Sequence, residues 1–362
     1  MCAGHCAAST TKPPATSLSG VGHLDNGNVA LTAAIVAASG LLSGLATRAL
    51  IPVLRRSGAL DRPNDRSSHV VPTPRGGGIA VIGVMLLAWL GVAAAGWVTS
   101  AVVPVSLAAG LLAAVCWIDD LRGLSPLTRL AAQAAAVAIG LLALPETDNA
   151  VRGWLGPTAY FTALGLLWLW WVNLYNFMDG IDGIAGSEAA AIGGGLLLLA
   201  ALGSGVDPSV ALLSSALLGA ALGFLVWNWS PARIFLGDVG SAPLGYLTGY
   251  LLIGLAAAGR WKIALILPLY FLADATITLG RRLLRGERVW QPHRQHFYQQ
   301  AVRRGLDHAA VVKRVIAADV LLMACGWAAE NGAAVPALAA AAVVVALLLA
   351  ALARGREARQ LQ

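Results

Sequence analysis

The chain has 362 residues, of which 58% are hydrophobic and only 12% charged, and its mean hydropathy is +0.72. Ordinary globular chains carry about 25% charged residues, so a string of soluble domains is excluded: too little polar surface exists to solvate a chain of this size. The net charge of +7 would invite a nucleic-acid reading in a soluble protein, but most cations lie in short connectors between apolar runs. No basic patch interleaved with aromatics occurs, and no nucleic acid is expected as a partner.

In chain order, residues 1–28 form a polar leader expected to be disordered. It lacks a basic segment followed by an apolar one, so it does not read as a secretory signal. Cys2 and Cys6 flank His5 there without a second ligand pair, which argues against a metal site, while Cys116 and Cys325 lie inside apolar runs. Eleven apolar runs follow, centred near Ala38, Leu87, Leu111, Val137, Leu166, Leu197, Leu217, Tyr250, Leu269, Leu321 and Val344. Each is long enough to cross ~30 Å of hydrocarbon as a helix. Their continuous apolarity excludes barrel strands, which alternate over about ten residues.

The expected fold is therefore all-α: a polytopic membrane protein of about 11 transmembrane helices. Residues 29–353 form one multi-span domain and 354–362 a basic tail. If the leader is outside, the connectors after the odd-numbered runs are cytoplasmic, and with the tail they hold 20 of the 25 lysines and arginines. The positive-inside rule then places the N-terminus outside and the C-terminus in the cytoplasm.

The polar clusters fall on that same inner face. RSSHVVPTPRGGG leads into the second run, with Arg75 suited to phosphate charge and Gly76, Gly77 and Gly78 permitting close backbone approach. WIDD ends the third run with Asp119 and Asp120, whose side chains point about 100° apart on a helix. In NLYNFMDGIDG, Asn173, Asn176, Asp179 and Asp182 recur every third residue, a set suited to a nucleotide base or a metal-bound phosphate. IFLGDVGS sets Asp238 at a helix start, where unpaired backbone donors favour phosphate and the carboxylate suits Mg²⁺. Phe235 offers a stacking face and Ser241 an N-cap. QPHRQHFYQQ adds His293, Arg294 and His296 as a cradle for an anionic diphosphate. Asp274, inside the ninth run, reads as a supporting residue.

These motifs, in this order, resemble the polyprenyl-phosphate N-acetylhexosamine-1-phosphate transferases of bacterial envelope synthesis, over about Arg66 to Gln300. The resemblance implies transfer of a sugar 1-phosphate from a UDP-N-acetylhexosamine to undecaprenyl phosphate, with Mg²⁺ or Mn²⁺ in its place, on the cytoplasmic face of the inner membrane. It implies that Asp238 binds metal, that Asp119 or Asp120 acts as base or contacts the acceptor phosphate, that Asn176, Asp179 and Asp182 bind the nucleotide, and that Phe235 stacks on uracil. The histidine segment departs from the muramoyl-pentapeptide branch and, with PTPRGGG, resembles the branch that starts O-antigen or related polysaccharides. A homodimer is compatible with this reading.

The chemistry implied is charge neutralisation: an anionic lipid phosphate must approach an anionic diphosphate. The rival class is a secondary transporter, whose carboxylates would line a path near the midplane. By sequence only Asp274 is that deep.

Overall fold

The computed structural model describes residues 26–61, 71–145, 150–289, 291 and 293–354. The leader up to residue 25 with Cys2, His5 and Cys6, the start of the PRGGG-containing motif with Arg66, and the tail from residue 355 lie outside them. Among the described residues the chain is almost entirely helical: α1 (Asn26–Ser57), α2 (Gly78–Ala94), α3 (Val102–Arg122), α4 (Pro126–Leu142), α5 (Ala150–Leu155), α6 (Pro157–Met178), α7 (Ile184–Ala201), α8 (Pro208–Asn228), α9 (Asp238–Ala257), α10 (Trp261–Ile266), α11 (Leu269–Leu284), α12 (Phe297–Arg303), α13 (His308–Glu330) and α14 (Ala334–Ala353). One short antiparallel ribbon, β1 (Leu60–Asp61) with β2 (Thr73–Pro74), departs from the all-α expectation.

Every predicted run centre lies in a helix. The ninth run is two helices, because Pro268, which cannot donate a backbone hydrogen bond, separates α10 from α11. The first helix begins at Asn26, inside the expected leader. Six helices among the described residues are long and apolar enough to cross a membrane: those over Gly27–Ser57, Val102–Arg122, Ile184–Ala201, Pro208–Asn228, Asp238–Ala257 and Ala334–Ala353. The architecture is that of a polytopic membrane protein.

Between helices surrounded by lipid, apolar burial gives little net attraction, so close backbone approach and hydrogen bonds must hold the bundle. On α1, Gly40 and Gly44 face Gly219 and Gly223 of α8, and a Cβ added at Gly223 would lie only 2.1 Å from the Gly40 carbonyl oxygen. Ser43 Oγ donates to the Ala220 carbonyl at 2.8 Å across the same seam.

Helix α9 is the core of the bundle, buried along most of its length between α2, α3 and α6. Trp168 of α6 stacks on Tyr246 of α9 at 5.1 Å between ring centroids and 9° between planes. Its Nε1 donates to the Tyr246 carbonyl at 3.0 Å. This packing fixes α9, and with it the position of Asp238 at its first residue.

Candidate active site

Four separated motifs meet at the start of α9. The segment before α2 runs beside the one before α9: Phe235 N donates to the Pro74 carbonyl, Gly76 and Gly77 N to the Phe235 carbonyl, and Gly78 N to the Leu236 carbonyl. A Cβ on Gly78 would sit 2.2 Å from Gly240 Cα. The close backbone approach expected of the triple glycine is thus approach to the IFLGD segment. Arg75 and Phe235 form an isolated bridge there, and Phe235 is half-buried.

Arg75 projects into a group of carboxylates. Its Nη2 lies 2.8 Å from Asp120 Oδ1 and 2.8 Å from Asp238 Oδ1. Arg129, at the first turn of α4, reaches Asp119 Oδ2 at 3.3 Å and Asp238 Oδ2 at 3.7 Å. In the sequence Arg129 is only one of the cations following the third apolar run. The one signal for it is Pro126, which starts a helix so soon after WIDD that its first turn folds back over the aspartates.

The three acids have different duties. Asp120 accepts from Asp238 N at 3.2 Å and Val239 N at 2.9 Å, so it caps α9 from another helix. Asp119 accepts from Leu124 N at 2.5 Å and shapes the turn into α4. The side chains of Asp120 and Asp119 are 2% and 7% exposed, whereas that of Asp238 is 20% exposed. Asp238 is the acid of the three that a ligand reaches.

Two local expectations change. The α9 N-terminus does not present free donors: besides the two taken by Asp120, Gly240 N and Ser241 N both donate to the Gly237 carbonyl. Ser241 is not an N-cap either, because the cap position is Gly237. Its hydroxyl instead donates to Asn176 Oδ1 at 2.5 Å, joining α9 to α6.

The NLYNFMDGIDG residues diverge accordingly. Asn176 faces the site through Ser241, but Asn173 points to α4, donating to Gln133 Oε1 at 2.8 Å. Asp179 follows the end of α6 and is held up to about 7 by burial and by its neighbours Asp238 and Asp120, against the opposing pull of Arg75. Asp182 accepts from Ala232 N at 3.1 Å and pairs with His308 Nδ1 at 3.2 Å. Burial would raise Asp182, but the His308 contact and the Ala232 amide hold it below the usual carboxylate range. Asn228, another residue not foreseen, accepts from Gly183 N and donates to the Ile234 carbonyl, each at 2.9 Å, tying this loop to the IFLGD segment.

The QPHRQHFYQQ segment docks on the same loop through Tyr298, whose hydroxyl donates to the Phe177 carbonyl at 2.9 Å. Asp274, deep in α11, explains its placement. It accepts from Phe297 N at 3.0 Å and Tyr298 N at 3.2 Å, capping α12, and lies 3.2 Å from His296 Nδ1. His296 is therefore buried against Asp274, and the His293 ring lies tilted by 30° against it with 4.8 Å between centroids. Burial, then His296 and Arg282, lower His293 to about 4, so it is neutral at pH 7 and adds no positive charge. Arg294, the third member of the expected cradle, has a buried Nη2 lacking a hydrogen-bond partner among the described residues.

Asp119, Asp120, Asp179 and Asp238 thus surround one place, with Arg75 and Arg129 supplying the positive charge between them. Burial works against the Arg75 charge, but Asp238 and Asp120 more than offset it and hold the guanidinium above its ordinary value. Among the described residues no three acid, histidine or cysteine side chains are gathered closely enough to hold a metal ion by themselves; carboxylate oxygens are nevertheless the donors a hard cation such as Mg²⁺ takes, one or two from the protein with the rest from substrate phosphates.

Residues 102–256 match the glycosyl transferase family 4 model, a stretch containing Asp119, Asp120, Asp179 and Asp238. The chain is 33% identical over 331 residues to the phospho-N-acetylmuramoyl-pentapeptide-transferase of Synechococcus sp. (strain JA-3-3Ab), covering 81% of this chain and 89% of the relative. It is 31% identical over 289 residues to the Bacillus subtilis (strain 168) protein named probable undecaprenyl-phosphate N-acetylglucosaminyl 1-phosphate transferase, covering 74% and 77%. It is 31% identical over 333 residues to the decaprenyl-phosphate N-acetylglucosaminephosphotransferase of Mycolicibacterium smegmatis, covering 78% and 77%.

Proposed function

The chain belongs to glycosyl transferase family 4, among the polyprenyl-phosphate hexosamine-1-phosphate transferases, and from that premise we propose that it transfers an N-acetylhexosamine 1-phosphate from a UDP-sugar to undecaprenyl phosphate. The product is undecaprenyl-diphosphate-sugar, which starts O-antigen or a related envelope polysaccharide, and UMP leaves. The observation that carries the reading is the placement of Asp238: partly exposed, between Arg75 and Arg129, on a helix end held by Asp120.

In this reading an oxygen of the lipid phosphate attacks the sugar-bearing phosphorus, and the bond to the bridging oxygen of the nucleotide diphosphate breaks. Asp238, with help from Asp179, would hold Mg²⁺, or Mn²⁺ in its place, and the cation would supply positive charge against the diphosphate. Arg75 and Arg129 are positioned to shift from their carboxylates to phosphate oxygens, and Arg294 supports the diphosphate from the α11–α12 loop. Asn176 and Phe235 line the nucleotide side. The acceptor phosphate is largely ionised at neutral pH, having a second pKa of about 6, so a base at Asp119 has little left to do. An apolar groove of about 350 Å³ between α4, α6 and α11, lined by Leu130, Leu166, Trp170, Phe177 and Leu279, suits the polyprenyl chain.

The reaction face is cytoplasmic, in the inner membrane of a bacterium, with eleven spans oriented by the positive-inside rule. The second reading is phospho-N-acetylmuramoyl-pentapeptide transfer, favoured by the 33% identity to the Synechococcus relative. One experiment tests both: the purified protein is given undecaprenyl phosphate and a panel of UDP-sugars including UDP-N-acetylmuramoyl-pentapeptide, and lipid and nucleotide products are separated. UMP with a lipid-linked N-acetylhexosamine is expected. UDP as the primary nucleotide would overturn the mechanism, and turnover of only the pentapeptide substrate would select the second reading.

A further inference from the structure

The geometry points to a second anion site, separate from the Asp238 cluster, that takes the phosphate headgroup of an anionic membrane lipid between α11, α12 and the end of α14. A pocket of about 370 Å³ there is lined by Thr278, Arg281, Arg285, Gln295, Gln300 and Arg304. Three of these six carry positive charge and none carries negative charge. The acids on the adjoining elements are already engaged: Asp274 with His296, Thr278 and the α12 amides, and Glu287 with Arg282 and Gln295. Among the described residues neither Arg281 nor Arg285 forms an ion pair within 4 Å, and the one carboxylate near enough to attract Arg285, Glu287, is bonded to Arg282.

Two of the arginines are held in place before any ligand arrives. Arg281 sits over the Phe297 ring at 4.9 Å. Arg304 Nη1 donates to the carbonyls of Leu352 and Ala353 at 3.4 and 2.7 Å. Guanidinium groups that are already ordered lose less freedom on meeting a phosphate than free ones, and their fork geometry suits phosphate oxygens.

The Arg304 contact also sets the depth of the pocket. Leu352 and Ala353 are the last residues of α14, one of the helices long and apolar enough to span a membrane, so the pocket lies at the span's end, where lipid headgroups sit. The helices that meet there also carry exposed apolar side chains: Leu284, next to Arg285 on α11, is 90% exposed and Leu347 on α14 is 66% exposed. A soluble phosphate uses the arginines alone. A phospholipid uses the arginines with its headgroup and these leucines with its chains, which favours the lipid. Because Gln295 and Gln300 line the pocket and Gln300 Nε2 donates to the Arg294 carbonyl at 2.6 Å, an occupied headgroup braces the loop carrying Arg294.

The test uses the purified full-length chain in detergent, with lipids counted by native mass spectrometry. Phosphatidylglycerol is expected to be retained over phosphatidylcholine, and Arg285→Gln, at an exposed position that leaves the fold intact, to weaken that preference on the order of fivefold. The Arg281→Gln/Arg285→Gln pair is expected to abolish it, and Arg281→Lys/Arg285→Lys, which keeps both charges, to retain most of it. Millimolar inorganic phosphate is expected not to displace the lipid. Equal retention of the two lipids, an unchanged preference in Arg285→Gln, or displacement by inorganic phosphate would each overturn the lipid site; the last would leave a soluble-phosphate site in its place.

Discussion

Around Asp238, each carboxylate has its company: Asp120 accepts two α9 amides and pairs with Arg75, Asp119 accepts Leu124 N and pairs with Arg129, and Asp238 lies between both arginines. Between α7 and α13 the situation is reversed. Glu188 and Asp319 are 0% and 2% exposed, and none of their four oxygens has a hydrogen-bond partner among the described residues. The first group lies at helix ends, where amides and arginines are at hand. The second lies inside helices, the two acids near each other and Glu188 near the Tyr175 and Tyr270 side chains, without a hydrogen bond to any of them among the described residues. Acids of the first kind define a geometry and losing one partner exposes the other, whereas acids of the second kind are a cost the rest of the bundle must offset.

The largest expected effect is at Asp238. Asp238→Asn keeps the volume and one accepting oxygen but removes the negative charge that faces both arginines and the metal. Activity should fall about 100-fold or more, while thermal unfolding in detergent moves little, because the α9 cap belongs to Asp120. Near wild-type turnover with an unchanged metal requirement would remove Asp238 from the centre of the site.

A paired substitution sharpens the contrast. Asp120→Asn retains an acceptor for one α9 amide but loses the ion pair with Arg75 at a side chain 2% exposed. It should cost about 1–3 kcal/mol of stability and leave measurable turnover, since this carboxylate positions Asp238 rather than meeting substrate. Glu188→Gln/Asp319→Asn should do the opposite, holding or raising stability by about 1–3 kcal/mol with activity retained, because replacing unpartnered buried acids by neutral isosteres of like volume removes their desolvation cost. A large loss of stability in that double variant would show that the two acids have a function of their own.

What could be read from the sequence follows the same division. The helices were legible because continuous apolar runs have one structural solution in lipid, and the WIDD, NFMDGIDG and FLGD motifs were legible because polar residues are rare against that background. Their pairing was not. Nothing in the spacing of Arg75 says that it meets Asp120 and Asp238, and Asp274 was read as a supporting residue without its partner, the α12 N-terminus. Glu188 and Asp319 escaped notice because α7, buried on most sides, has no polar face against which an acid would look misplaced. His293 differs from the cradle expectation for a related reason: a motif names residue types, but burial decides whether this ring carries charge.

That point yields the smallest expected effect. His293 titrates near 4 in the folded protein, lowered first by burial and then by His296 and Arg282, whereas an unfolded histidine titrates near 6.5. Between those values the unfolded chain binds the extra proton, so His293 contributes stability that is complete above about pH 6.5 and lost as pH falls toward 4. The ring is only half-buried, and solvent screening reduces the contribution to about 1 kcal/mol. His293→Gln lacks this term. The stability difference between wild type and variant, measured by denaturation in detergent from pH 7.5 to 4.5, should therefore shift by about that amount in favour of the variant as pH falls. A difference independent of pH would mean that His293 titrates normally, leaving it free to carry charge beside Arg294 in mildly acidic conditions and restoring the histidine to the phosphate cradle.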